Sequence, residues 1–423
     1  MSMQSEKPEG SRWLQLLLGV ITMMAISSPQ YVWTLFTKPF QEITGAGLPA
    51  LQITISILIV LQTWLSPLQG ALIERFGPKA LVMTGCALSG LSWILAAHAT
   101  SVTMLYLTYG LFGGVGTGIV YVGVIGHMVR WFPDRRGFAA GMAAAGYGFG
   151  AMLTTFPISD MLKDAGLQHT LLVFGAILGG VGVLAAAFLR EPSTGYTVAA
   201  VVSDRVTSTD YDSKSMLKAP VFWLLFLMMT MMSTGGLMVI LNFATFSREF
   251  GITDKVVVLG YAALPLALTL DRVTNGLTRP FFGWLSDKIG RESTMAIAFA
   301  GEACAIFLML NLRHDPLAYV LLSGVVFFGW GEIFSLFPST LTDTFGTKHA
   351  TTNYGFLYMA QGVGSVLGGP FAALIHDQTG SWLPVFGIII SMDVLTALLA
   401  LFLLKPMRRA WLGASRRPAL APA

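Results

Sequence analysis

Charge is the first thing this chain lacks. Of its 423 residues only 11% are Asp, Glu, Lys or Arg, while 54% are hydrophobic; a typical soluble domain carries about 25% charged residues. A water-soluble globular fold is thereby excluded. Cysteine is nearly missing: Cys86 and Cys304 are the only two, and both fall inside apolar runs, which points to packing rather than a disulfide or metal pair. Histidine is sparse as well. His98, His169, His314, His349 and His376 fall in loops or near the ends of apolar runs, and His127 stands alone with no partner at metal-ligand spacing. No nucleophile, base and acid converge, so an enzyme is not expected and neither metal nor cofactor is called for. The glycine-rich stretches GGVGTG (113–118), GYGFG (146–150) and GVGSVLGG (362–369) lie within apolar runs. Close helix packing explains them better than phosphate binding.

What the chain has in abundance is long apolar runs. A hydrocarbon core about 30 Å thick needs about 20 apolar residues in a helix, and such runs occur at 13–37, 49–73, 80–98, 101–129, 137–161, 169–190, 220–247, 256–284, 293–312, 316–343, 351–376 and 381–405. The expectation is an all-α membrane protein of twelve transmembrane helices with the lipid bilayer as its medium. The first run is too long for a signal-peptide core and no cleavage pattern follows it, so it is expected to stay. The net charge of +4 has a topological origin. Lys7, Arg12, Arg75, Lys79, Arg130, Arg135, Arg136, Arg190, Arg205, Lys214, Lys218, Lys288, Arg291, Lys348, Lys405, Arg408, Arg409, Arg416 and Arg417 fall on one side of the twelve-helix arrangement. Only Lys38, Lys163, Arg248, Lys255 and Arg313 fall on the other. Positive residues mark the cytoplasmic side. Both termini are therefore expected in the cytoplasm of a cell with the protein in its inner membrane, and nucleic acid is not an expected partner.

Internal repetition organises the chain. GALIERFGPK (70–79) follows the second run and GWLSDKIGRE (283–292) follows the eighth. Both read Gly-x-x-x-acid-base-x-Gly with a base close behind, through Gly70, Glu74, Arg75 and Gly77 in one case and Gly283, Asp287, Lys288, Gly290 and Arg291 in the other. Two six-helix halves follow, 13–190 and 220–405, joined by a polar linker at 191–219 and flanked by tails 1–12 and 406–423. In each motif the glycine allows two helices to approach, while the acid and base can pair across a helix junction and cap neighbouring helix ends. Such a latch holds one conformation and breaks in the other. The duplicated motif resembles the signature of the major facilitator superfamily, which implies its fold, a monomer, and two halves rocking about a central site.

One side chain dominates the search for that site. Arg279 lies in TLDRVTNGLTRPFFGWL (269–285), where a charge costs at least about 2.5–3.5 kcal/mol on insertion scales. It is read either as an anion ligand or as a structural charge near the latch. Polar and aromatic residues at matching depth in other runs are Gln30, Tyr31, Trp33, Gln52, Tyr121, Tyr147, Asn275, Trp330, Tyr358 and Gln361. A guanidinium among tyrosines and amides is a carboxylate-binding composition. Arg279 is expected to reach a central cavity also touched by Tyr147 and Gln361.

Taken in order, QYVWTLF, WFPDRRGFAAGMAAAGYGFG, RPFFGWLSDKIGRE, LFPST and NYGFLYMAQG resemble the oxalate:formate antiporter group of that superfamily. The resemblance covers nearly the whole chain. It implies exchange of small carboxylates such as oxalate and formate, neutralised by an eighth-helix arginine, matched by Arg279, and an eleventh-helix lysine. Here Gln361 stands in place of that lysine. Asp271 and Arg272 sit where the group's pattern is neutral, and Glu332 stands on the tenth run. Arg272 lies about 10.5 Å along a helix from Arg279, and is either a second substrate cation or the partner of Asp271 or Glu332. Glu332 either neutralises Arg272 or carries a proton for symport of a monocarboxylate. Glu302, on the ninth run, reads as a packing or interfacial residue. A carboxylate receptor that moves nothing is the remaining alternative.

Overall fold

The computed structural model describes residues 10–192, 206–207, 209–253 and 255–415. Parts of the expected tails and linker lie outside these residues, as do Lys7, Arg205, Arg416 and Arg417. Each of the twelve apolar runs is helical over most of its length, and proline and glycine account for most of the breaks. The first is three pieces, α1 (Gly10–Ala25), α2 (Ser28–Tyr31) and α3 (Trp33–Thr44). Pro29 opens α2, where a missing N–H does least harm. The second is α4 (Leu48–Trp64) and α5 (Ser66–Phe76), bent by 52° next to Pro67, which cannot continue the hydrogen-bond ladder of α4. After α6 (Pro78–Ala96) the fourth run is α7 (Val102–Leu105), a π-helical stretch at 106–112 and α8 (Gly113–Trp131). The fifth and sixth share α9 (Arg136–Ala187), which breaks at Gly166 with φ 79°.

The second half begins with α10 (Ser213–Leu217) and α11 (Pro220–Glu249). Residues 257–262, expected to open the eighth helix, instead form a hairpin of β1 (Val257–Val258) and β2 (Tyr261–Ala262). Its turn places Leu259 and Gly260 at positive φ, and the β-branched run before them favours strand over helix. Then come α12 (Ala263–Ile289), α13 (Arg291–Asn311), the tenth run as α14 (Pro316–Trp330) and α15 (Ile333–Phe345), α16 (Ala350–Thr379), α17 (Leu383–Leu399) and α18 (Lys405–Ser415). By length and hydropathy nine of the described helices can cross a membrane, ten when α4 and α5 count as one bent span. α12 is not among them, because Asp271, Arg272 and Arg279 lower its hydropathy; α9 is counted once despite its break.

The duplicated motif closes one end of the molecule. Gly77 and Gly290 stop α5 and α12 at φ 87° and 102°, a backbone conformation open to glycine and strained for other residues. Upstream, Gly70 packs on the backbone of Thr351 and Thr352, and Gly283 packs on the backbone of Gly137. Each glycine therefore touches the opposite half. The acids do the same. Glu74 accepts the Thr352 N–H at 2.9 Å, and Asp287 accepts those of Gly137 and Phe138 at 3.0 and 2.9 Å. Each caps the first turn of a helix from the other half, α16 or α9, where free N–H groups and the helix dipole favour an anion. The expected pairing of each acid with the base beside it does not occur. Arg75 and Lys288 are exposed and lie over the rings of Phe76 and Trp284 at 5.2 and 4.0 Å. Arg291 is the base that pairs, with Asp287 at 2.6 Å and Asp343 at 2.8 Å. Asp343 also takes Arg136 from the other half at 2.7 Å. Arg12–Asp134 and Arg408–Glu292 pairs put both ends of the described chain on this side.

Candidate functional site

Arg279 lies one helical turn deeper than the latch and is 1% exposed. The backbone sets its position: Gly141 of α9 lies against the carbonyl of Arg279 so closely that a Cβ there would clash. α9 and α12 cross at this point, one from each half. The guanidinium bridges them, donating from Nη1 to the Ala144 carbonyl at 2.5 Å and from Nη2 to Asn275 Oδ1 at 3.1 Å. It lies 4.6 Å from the ring centroid of Phe334. Its Nε–H, the Asn275 amide nitrogen and Gln361 Oε1 are buried without a hydrogen-bond partner among the described residues. An unpaired buried donor on a cation is costly to leave unmade.

A tyrosine ladder leads away from this point. Tyr121 stacks on Tyr358 at 4.7 Å, meets Tyr147 edge-on at 5.4 Å, and Tyr147 meets Tyr31 at 5.5 Å. Tyr147 donates to Gln30 Oε1 at 2.7 Å. Tyr31 is 43% exposed, so the ladder runs from the surface to the buried guanidinium, whose charge acts on Tyr121 and Tyr147. Trp330 donates to the Met232 carbonyl at 3.0 Å and packs on Phe334 at 5.7 Å. Tyr354, Tyr358 and Gln361 share one face of α16 by their spacing of four and three.

The structure thus gathers Arg279, Asn275, Tyr121, Tyr147, Tyr31, Gln30 and Tyr358, with Trp330 behind Phe334. Gln361 is buried on the Tyr358 face. Trp33 and Gln52 stand apart. Trp33 is buried against Tyr109 at 4.8 Å and Phe40 at 5.9 Å, and Gln52 is exposed on α4. Sequence reasoning missed Gln62, whose amide donates to the Tyr358 hydroxyl at 3.1 Å, and Tyr354, 5.6 Å from Tyr358. The NYGFLY stretch held the signal for Tyr354, four residues before Tyr358. Arg272 does not pair with Asp271 or Glu332. It is exposed, and Asp271 instead accepts from Ser323 at 3.0 Å. Among the described residues no three His, Cys, Asp or Glu side chains gather as metal ligands; His127 accepts the Trp131 N–H at Nε2, 3.0 Å away, and its Nδ1 is buried without a partner there.

Comparison with known proteins decides the family. The sequence pattern of the Major Facilitator Superfamily matches residues 16–270 and 266–422. The chain belongs to the major facilitator superfamily. It is 34% identical to the oxalate:formate antiporter of Oxalobacter formigenes, across 95% of this chain and 93% of that protein. It is 25% identical to monocarboxylate transporter 13 of Bos taurus, across 91% of this chain and 88% of that one. Two solved structures share the fold of this superfamily member at 14% identity each. The transporter FucP in its outward conformation aligns with TM-score 0.65 over 96% of this chain and all of that one. The proton:xylose symporter XylE aligns at 0.67 over 92% and 95%. The protein is a membrane transporter of this superfamily, and the two-half fold expected from its repeated motif is the fold it has.

Proposed function

We propose that this transporter exchanges small carboxylates by alternating access, in the manner of an oxalate:formate antiporter, with the anion held between the halves by Arg279. The observation that carries this reading is a guanidinium buried where the halves cross, its Nε–H without a partner among the described residues and its central carbon 4.6 Å from the centre of the Phe334 ring. A carboxylate arriving along Tyr31, Tyr147 and Tyr121 meets neutral donors first and the cation last. Asn275 and Gln361 offer amides, and the aromatic rings exclude water, which strengthens the ion pair. The names of the relatives support the same chemical class. The halves 13–190 and 220–405 rock about this site, and the latch end, rich in Lys and Arg, faces the cytoplasm of a cell with the protein in its inner membrane.

One buried cation outside the latch end, among the described residues, matches one negative charge. With Gln361 in place of a lysine, a monocarboxylate such as formate, or a singly ionised diacid, fits the charge better than an oxalate dianion. Arg272 is exposed on the same helix about 10.5 Å nearer the unlatched end, and serves a dianion only if its side chain folds inward.

Counterflow in proteoliposomes tests the reading. Labelled formate should enter against internal formate or oxalate, and Arg279→Ala should abolish the flux. No counterflow of any small carboxylate would refute it. Proton symport of a monocarboxylate is a second reading, favoured by Glu332, both of whose oxygens are buried without partners. It requires uptake driven by an inward proton gradient and lost in Glu332→Gln.

A further inference from the structure

The second half contains more buried acid than its buried base can neutralise. Glu302 on α13, Glu332 at the break between α14 and α15, and Asp393 on α17 are each 0–1% exposed. Both oxygens of Glu332, Oε2 of Glu302 and Oδ2 of Asp393 have no hydrogen-bond partner among the described residues. Of the packing and interfacial roles expected for Glu302, the structure has the packing one: the backbone of Gly329 sits on its Cβ, sealing it between α13 and α14. Asp393 turns toward α11, its Oδ1 reaching the space beside Gly235, while the neighbouring Gly236 makes room for the Trp330 indole. The three carboxyls therefore converge inside one half, behind Trp330. Asp393 and Glu332 both act electrostatically on Glu302, and Asp393 and Arg279 both act on Glu332. Arg279 on α12 acts on Glu332, and among the described residues no cation acts on Glu302 or Asp393.

Three carboxylates out of water, repelling one another with one guanidinium nearby, cannot all stay ionised, since each buried ion costs several kcal/mol unless paired. Nor is this acidic group matched in the first half, where no Asp or Glu between residues 13 and 40 or 48 and 131 is buried. We propose that Glu302, Glu332 and Asp393 form a proton-binding site, coupled to the anion site through the charge of Arg279. With Arg279 empty, its positive charge favours an ionised Glu332. A carboxylate on Arg279 cancels that charge, and Glu332 takes a proton from water, whose charge moves inward with the anion. Binding of either ligand then favours the other by the same factor. Exchange is the same cycle run between two loaded states.

This inference rests on the anion reading for its coupling but not for its proton site, so two measurements separate them. Infrared pH-difference spectroscopy on the purified transporter without anion should show the carbonyl band of protonated carboxylic acids at neutral pH. Glu302→Gln and Asp393→Asn should each remove part of it, while Glu332→Gln should remove only the increase in the band that formate binding adds; a band absent, or unchanged in all three variants, overturns the proton site. In lightly buffered detergent solution, formate binding should take up close to one proton per anion, and formate affinity should fall by about ten-fold per pH unit over the titration range. Glu332→Gln should remove both the uptake and the slope. Formate binding without proton uptake refutes the coupling, whereas no formate binding at any pH refutes the anion reading while the infrared result judges the proton site.

Discussion

Replacing Arg279 by lysine keeps a positive charge and removes the planar fork. In the structure that fork does three things at once: it ties α9 to α12 through the Ala144 carbonyl, it orients Asn275, and it leaves Nε–H for a ligand. A lysine ammonium is a compact point charge, and holding the Ala144 carbonyl turns it away from the anion. The variant should forfeit one or two charge-assisted hydrogen bonds to the carboxylate at about 1.5–3 kcal/mol each. Allowing for the charge that remains, about 2–4 kcal/mol is lost, or a thirty- to thousand-fold weaker Kd. Counterflow across a range of external formate would show this as a raised KM and a collapsed flux. Thermal unfolding in detergent separates a site effect from a folding one, since a variant that folds should keep its Tm within a few degrees. If Arg279→Lys exchanges formate within about three-fold of the parent at normal KM, Arg279 is not the anion ligand.

The latch supplies a second test: Asp343→Asn leaves Arg136 and Arg291 buried without their shared carboxylate, and loss of one partner of a buried pair is expected to cost about 3–5 kcal/mol, read as a sharp fall in Tm. Gly283→Val should drive a side chain into the Gly137 backbone and prevent closure of this end, so that thiol reagents reach engineered cysteines there which they cannot reach in the parent. Tyr147→Phe removes the hydrogen bond to Gln30, about 1 kcal/mol, and should raise the formate KM several-fold with little change in Tm. Trp33→Phe should behave in the opposite way, leaving KM intact and lowering Tm, because its ring packs on Tyr109 and Phe40 away from the ladder.

Much of this was legible because a few residues violate the rules of their surroundings. A charge in an apolar run has few physical explanations, which is why Arg279 stands out in the sequence itself. The latch was legible by repetition, and the positive φ values of Gly77 and Gly290 show why glycine recurs at that step. What the sequence concealed was orientation. Tyr31 and Trp33 read as neighbours on one continuous helix, but the chain breaks at Ser27 and Val32, and the two rings part. Gln52 and Gln62 are the same residue type on one helix, and which of them is buried depends on its face and on the bend beyond Trp64. Asp393 is one acid in an otherwise apolar run, and its meaning appears only when α17 packs against α13. Burial of Glu302 likewise depends on Gly329, on a different helix.

In each latch the acid belongs to one half and the helix start to the other, and the receiving groups are main-chain amides. This divides the chemical information unequally. The acceptor must be an acid at one position, whereas a backbone N–H is supplied by any residue except proline. The receiving helices are therefore free to vary at Phe138 and Thr352 as long as the main chain can come close, and the constraint of specificity falls on one side of the joint. A signature readable in a single stretch of sequence, with no matching stretch in its partner, is what such a one-sided joint leaves behind.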